Sequence, residues 1–159
     1  MENNNPVSYQ PHSMKWHNFL IYFSLWLSML FSVGYGLFIG FGMHYGGDGS
    51  AQLVYAYSGM LRVVDILYLL ASLVMAVYTF KTRQKLANYK KDGPVWLVRL
   101  YILNLVVEVI YLVLVCVTVP ELISFGDMLG DLMQPAITAV VMAYVNKTYY
   151  GKRAAIFQG

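Results

Sequence analysis

A chain of 159 residues has the length of one domain, yet 58% of it is hydrophobic and only 12% is charged, against roughly 45–50% and about 25% in soluble proteins. Eight acids and eleven bases cannot clothe a folded core of this size, and a mean hydropathy of +0.54 points to lipid as the solvent. These proportions exclude a water-soluble enzyme, and the lone Cys116 excludes a disulfide framework or a cysteine-ligated zinc site.

The first thirteen residues, MENNNPVSYQPHS, are polar with two prolines and predict a flexible head over 1–15. A helix needs roughly 20 apolar residues to cross about 30 Å of hydrocarbon. From Trp16 to Tyr45 nothing carries a formal charge except His17 and His44, which predicts a first span over 17–43. The run is too long for a secretory h-region and reads as a retained span. Gly36 and Gly40 form a GxxxG face for close helix approach. Packing within the chain is its first reading, a homo-oligomer its second.

The segment 44–58, HYGGDGSAQLVYAYS, predicts a loop that settles Tyr45, Tyr55 and Tyr57 at headgroup level. The second span, over 60–81, holds Asp65 with Arg62 three residues before it, a spacing that allows an ion pair on one helix face. Ser72 and Ala76 give this span a small-residue edge. The basic segment KTRQKLANYKKDG extends the helix amphipathically until Asp92-Gly93-Pro94 ends it. The third span, over 95–119, contains Arg99 and Glu108 and stops at Pro120. The fourth, over 127–147, has only about 15 uncharged residues and draws on positions before Asp131. Asp127, Asp131, Gln134 and Thr138 recur there at helical spacing, and a basic tail occupies 151–159.

Ten of the eleven bases fall on one side of these spans, Arg62 being the exception. The positive-inside rule then places both termini and the 81–93 loop in the cytoplasm, with Asp48, Glu121, Asp127 and Asp131 outside. Tyr89, Trp96, Tyr149 and Tyr150 are expected at the inner interface. The expected fold is an all-α integral membrane four-helix bundle in the cell membrane, its transmembrane domain covering 16–150.

Ionisable groups inside spans are costly, so they are the first functional candidates. Glu108 leads, with Asn104 one turn before it as hydrogen-bond partner and Tyr101 and Tyr111 flanking it. With Arg62, Asp65, Asp131 and Gln134 these residues predict an outward-opening polar cavity for a small molecule or a cation, in transport or sensing. The competing use of Glu108 is a structural hydrogen bond between helices. No cofactor, metal or nucleic acid is expected. His44, Asp48, Asp65, Asp127 and Asp131 lack a spacing that puts two ligands on one helix, and no histidine is expected inside the bundle to activate a serine.

Four stretches carry a resemblance: W-x-x-F-L-I-Y-F at Trp16–Phe23, V-Y-A-x-x-G-M-L-R-V-x-D at Val54–Asp65, L-A-N-Y-K-K-D-G-P at Leu86–Pro94 and Y-V-N-K-T-Y-Y-x-K-R at Tyr144–Arg153. Over about 16–157 the chain resembles small four-span membrane proteins of Gram-positive gut bacteria, some of which carry an N-terminal zinc ribbon that this chain lacks. The resemblance implies topology and a membrane location; it carries over no catalytic residue. A looser likeness to the small multidrug transporters rests on four helices and one mid-membrane Glu, which in those proteins lies in the first helix. The alternative function is a non-transporting interaction protein that assembles through its glycine-rich first helix or docks a partner on its basic loop. A membrane enzyme ranks third.

Overall fold

The computed structural model describes residues 13–46, 49–121 and 125–157; the expectations for the polar head up to residue 12 and for Asp48 lie outside the described residues. Four long helices dominate: α1 (Lys15–Gly40), α3 (Gly59–Ala87), α4 (Gly93–Thr118) and α5 (Phe125–Gly151). A short helix, α2 (Ser50–Tyr57), lies between α1 and α3. Among the described residues there is no strand. The long helices have 26 to 29 residues, hence about 39–44 Å at 1.5 Å each. All four are long and apolar enough to cross a membrane.

Local sequence explains the boundaries. α1 ends where Gly42 takes a left-handed φ of 71°, and Gly46 and Gly49 are also left-handed, so the glycine-rich stretch reverses the chain. It then forms α2 where the sequence reads as a loop, because SAQLVYAY can fold its tyrosines back onto α3. α3 outruns its apolar stretch to Ala87, where Tyr89, at φ 51°, turns the chain. Pro94 occupies the first turn of α4, where a missing N–H costs nothing. α5 continues through Pro135, which removes the donor for the Asp131 carbonyl.

Inside α1, Leu20–Ser24 form a π-helical turn. Such a turn loosens the backbone ladder, and here Arg83 Nε donates to the Ile21 carbonyl oxygen at 2.8 Å while its guanidinium lies 4.7 Å from the Trp26 ring. A basic residue expected to mark topology therefore also supports a distorted helix.

α1 packs on α3, α3 on α4 and α4 on α5. α1 and α5 do not pack along their lengths. They are joined by hydrogen bonds at the end that holds Ser13 and Arg153: Trp16 Nε1 to Asn146 Oδ1 at 3.0 Å, and Arg153 Nη2 to the Ser13 carbonyl at 3.0 Å. We call this the basic end.

The core is split in two. Leu20, Leu25, Met75, Leu86, Leu97, Leu100, Tyr150 and Phe157 fill the basic end. Ile39, Leu61, Val64, Tyr68, Tyr111, Leu112, Val115 and Met128 fill the opposite end. Outside these cores the helices carry large apolar side chains in the open: Tyr22 is 71% exposed, Phe31 68%, Val74 66% and Val117 76%. The outer surface of the bundle is thus largely apolar, as in a multi-span membrane protein.

Candidate functional site

Between the two cores lies a cavity of about 490 Å³, lined from all four long helices. α1 contributes Ser28, Ser32 and Tyr35; α3 contributes Tyr68, Ser72 and Met75; α4 contributes Tyr101, Asn104 and Glu108; α5 contributes Gln134 and Thr138. These residues come from between the two core clusters, where serines on α1 and α3 face Asn104, Glu108, Gln134 and Thr138 on α4 and α5. The cavity exists because small and polar side chains meet at this level, and because α1 and α5 stand apart there.

Glu108 is half-buried, and Tyr68 donates its hydroxyl to Oε2 at 3.1 Å. The expected partner was Asn104. Residues one turn apart on α4 both face the cavity, so Asn104 lies beside Glu108 and the neighbouring helix supplies the donor. Tyr35 packs edge-on against Tyr68, ring centroids 6.1 Å apart, and Tyr68 lies 4.4 Å from Tyr111. Of the sequence-predicted residues, Glu108, Asn104, Tyr101 and Gln134 share the cavity, whereas Arg62, Asp65, Tyr111 and Asp131 do not line it.

Asp65 and Tyr111 belong to a second cluster nearer the α2 end. Asp65 is fully buried and accepts three phenol hydroxyls: Tyr55 at 2.8 Å and Tyr45 at 3.1 Å on Oδ2, and Tyr111 at 3.1 Å on Oδ1. The expected Arg62–Asp65 ion pair is not formed. Asp65 points into the bundle and Arg62 is exposed on the outside, so a three-residue spacing that permits pairing is overridden by burial. Tyr45 and Tyr55, expected at headgroup level, turn inward onto Asp65; Tyr57 alone of the three stays 69% exposed. Burial first, and the Asp65 carboxylate after it, push both inward phenols above their ordinary range, which keeps them protonated as donors. His44 packs against Tyr45 with centroids 3.7 Å apart and ring planes tilted by 42°, and burial lowers its imidazole.

No family model, curated protein or solved structure matches the chain. Its chemistry is therefore read from its own geometry. Among the described residues, no group of three or more His, Cys, Asp or Glu stands together to hold a metal ion. The mid-height cavity offers instead one carboxyl, two side-chain amides, several hydroxyls and three phenol rings, which suits recognition of a polar or cationic small molecule more than bond breaking.

Gly36 and Gly40 face α3: a Cβ on Gly36 would lie 2.6 Å from Ser72 Cβ, and one on Gly40 would lie 2.8 Å from Leu69 Cβ. The glycine face is thus occupied within the chain. A histidine, against expectation, lies inside the bundle: His17 is fully buried at the basic end, its Nδ1 3.0 Å from the Tyr150 hydroxyl. Tyr68 was also missed as a site residue. Its signal was present, since Asp65, Tyr68 and Ser72 repeat at spacings of three and four and so share the inward face of α3.

Proposed function

We propose that this protein is a multi-pass integral membrane protein of the cell membrane, with its basic end in the cytoplasm, whose mid-height cavity binds a small organic cation for transport or sensing. The observation that carries the ligand reading is the meeting of Glu108, Asn104 and Gln134 with Tyr35, Tyr68 and Tyr101 around one cavity of about 490 Å³. A carboxyl supplies the counter-charge and aromatic faces supply cation–π attraction, the pairing that recognises ammonium groups. Amides and hydroxyls orient the remaining polar atoms.

Four helices of spanning length with apolar outer surfaces support membrane residence. The gathering of Lys15, Lys81, Arg83, Lys85, Lys90, Lys91, Lys147, Lys152 and Arg153 around the basic end supports the orientation. The resemblance to small four-span proteins of Gram-positive gut bacteria agrees with this reading.

The test is thermal unfolding of the detergent-solubilised chain titrated with benzyltrimethylammonium, in wild type and Glu108→Gln. Saturable stabilisation of wild type that is lost in the variant is expected. Equal stabilisation of both removes Glu108 from ligand recognition, and stabilisation of neither removes the cation reading.

A further inference from the structure

A second cavity, of about 510 Å³, lies at the basic end between the start of α4 and the end of α5. Its walls are apolar, formed by Pro94, Val95, Val98 and Phe157 among others, and Lys91 and Lys147 line it as well. It shares no residue with the mid-height cavity.

We infer that this groove is a binding site for one anionic phospholipid, with the phosphate between Lys91 and Lys147 and an acyl chain along the valine wall. The inference rests on the membrane reading above, because the lipid must come from the leaflet that the basic end faces.

Three observations carry it. First, no described residue cancels the charge in the groove. Asp92, the acid next to Lys91, is engaged by Lys85, which also lies 4.6 Å from the Trp96 ring; among the described residues neither Lys91 nor Lys147 forms an ion pair. Secondly, Lys91 and Lys147 converge on the groove from two separate elements, the turn before α4 and the last turns of α5, so two positive groups meet at one place. Thirdly, the apolar wall continues away from the lysines. Val95 is 48% exposed, and Ile102, two turns further along the same face of α4, is 50% exposed. An anionic head with a hydrocarbon tail matches this order of charge and apolar surface, whereas a free phosphate uses only the first part of it.

Native mass spectrometry of the purified full chain, titrated in micelles with dioleoyl phosphatidylglycerol, tests the site. One lipid should bind per chain. Lys91→Gln/Lys147→Gln should weaken it roughly 25-fold, if each lysine contributes about a factor of five near anionic lipid. Lys15→Gln/Lys81→Gln removes the same charge elsewhere at the basic end and should leave binding intact, while Val98→Trp should block the acyl path. A thermal midpoint for each variant separates misfolding from lost binding; if Val98→Trp does not fold, the two lysine pairs decide. Equal loss in both lysine pairs, equal binding of dioleoyl phosphatidylcholine, or displacement by glycerol phosphate alone would overturn the inference. Extraction of membranes with alkaline carbonate separates the two readings. Release of the chain refutes membrane residence itself, whereas a retained chain without phosphatidylglycerol preference refutes only the groove.

Discussion

Gly36 of α1 stands against Ser72 of α3 so closely that a methyl group on Gly36 would lie 2.6 Å from the Ser72 Cβ. The obstruction is a carbon fixed to the backbone, so the two helices would have to separate. The Ser72 hydroxyl donates to the Tyr68 carbonyl at 2.8 Å, and Ser32 donates to the Ser72 carbonyl at 3.0 Å, which ties the contact to the wall of the mid-height cavity. Gly36→Ala should destabilise the chain by about 1–3 kcal/mol, the usual cost of overpacking. Gly34→Ala, with nothing within 4 Å of a Cβ, should be neutral or slightly stabilising. Chemical denaturation in micelles measures both, and equal effects would show that the α1–α3 contact is not tight.

Much of the architecture was legible in the sequence because lipid imposes a simple code of length and apolarity. The four helices follow from uncharged runs, and the amphipathic end of α3 follows from Leu86 facing inward beside the basic residues. What escaped was partner choice. Arg62 and Asp65 are three apart, but no spacing shows that Tyr45 and Tyr55, from a segment that folds back, reach Asp65 first. Glu108 was found by its cost in a span, while its donor came from another helix, where single-sequence periodicity has no reach.

Asp65 gathers phenols from the turn after α1, from α2 and from α4. Hydrogen bonds to a buried carboxylate are worth about 1.5–3 kcal/mol, and a buried donor left without its acceptor costs more than the bond alone. Asp65→Leu should therefore destabilise the fold strongly, and Tyr55→Phe by about 1.5–3 kcal/mol. In the double variant the Tyr55→Phe cost should largely vanish, a coupling that a thermodynamic cycle reads directly. Additive losses would mean that Tyr55 acts by packing.

Arg83 couples α3 to the π-helical turn of α1 through the Ile21 carbonyl. Arg83→Met keeps most of the apolar stem and removes the donor, so it should cost about 1–2 kcal/mol. Amide exchange should rise locally around Leu20–Ser24. An unchanged exchange pattern would show that the turn holds itself.

The pH dependence of stability should carry a contribution from His44. Burial lowers its imidazole from the ordinary value of 6.5, so the unfolded chain takes up the extra proton first as the medium is acidified. The contribution is fully present above about pH 6.5 and is lost as the pH falls below it. The difference between thermal midpoints at pH 7.5 and 5.5 should shrink in His44→Gln. An identical difference in wild type and variant would remove His44 from the acid response.

The incomplete contact between α1 and α5 bears on how a ligand arrives. The helices are held at the basic end by Trp16, Asn146 and Arg153, yet part company at the level of the cavity. On the proposed membrane reading that gap would face acyl chains, so a ligand of the proposed site would enter sideways, with the lipid phase as its reservoir. Apparent affinity then tracks how strongly a compound partitions into the membrane, and two cations of equal intrinsic fit should rank by lipophilicity.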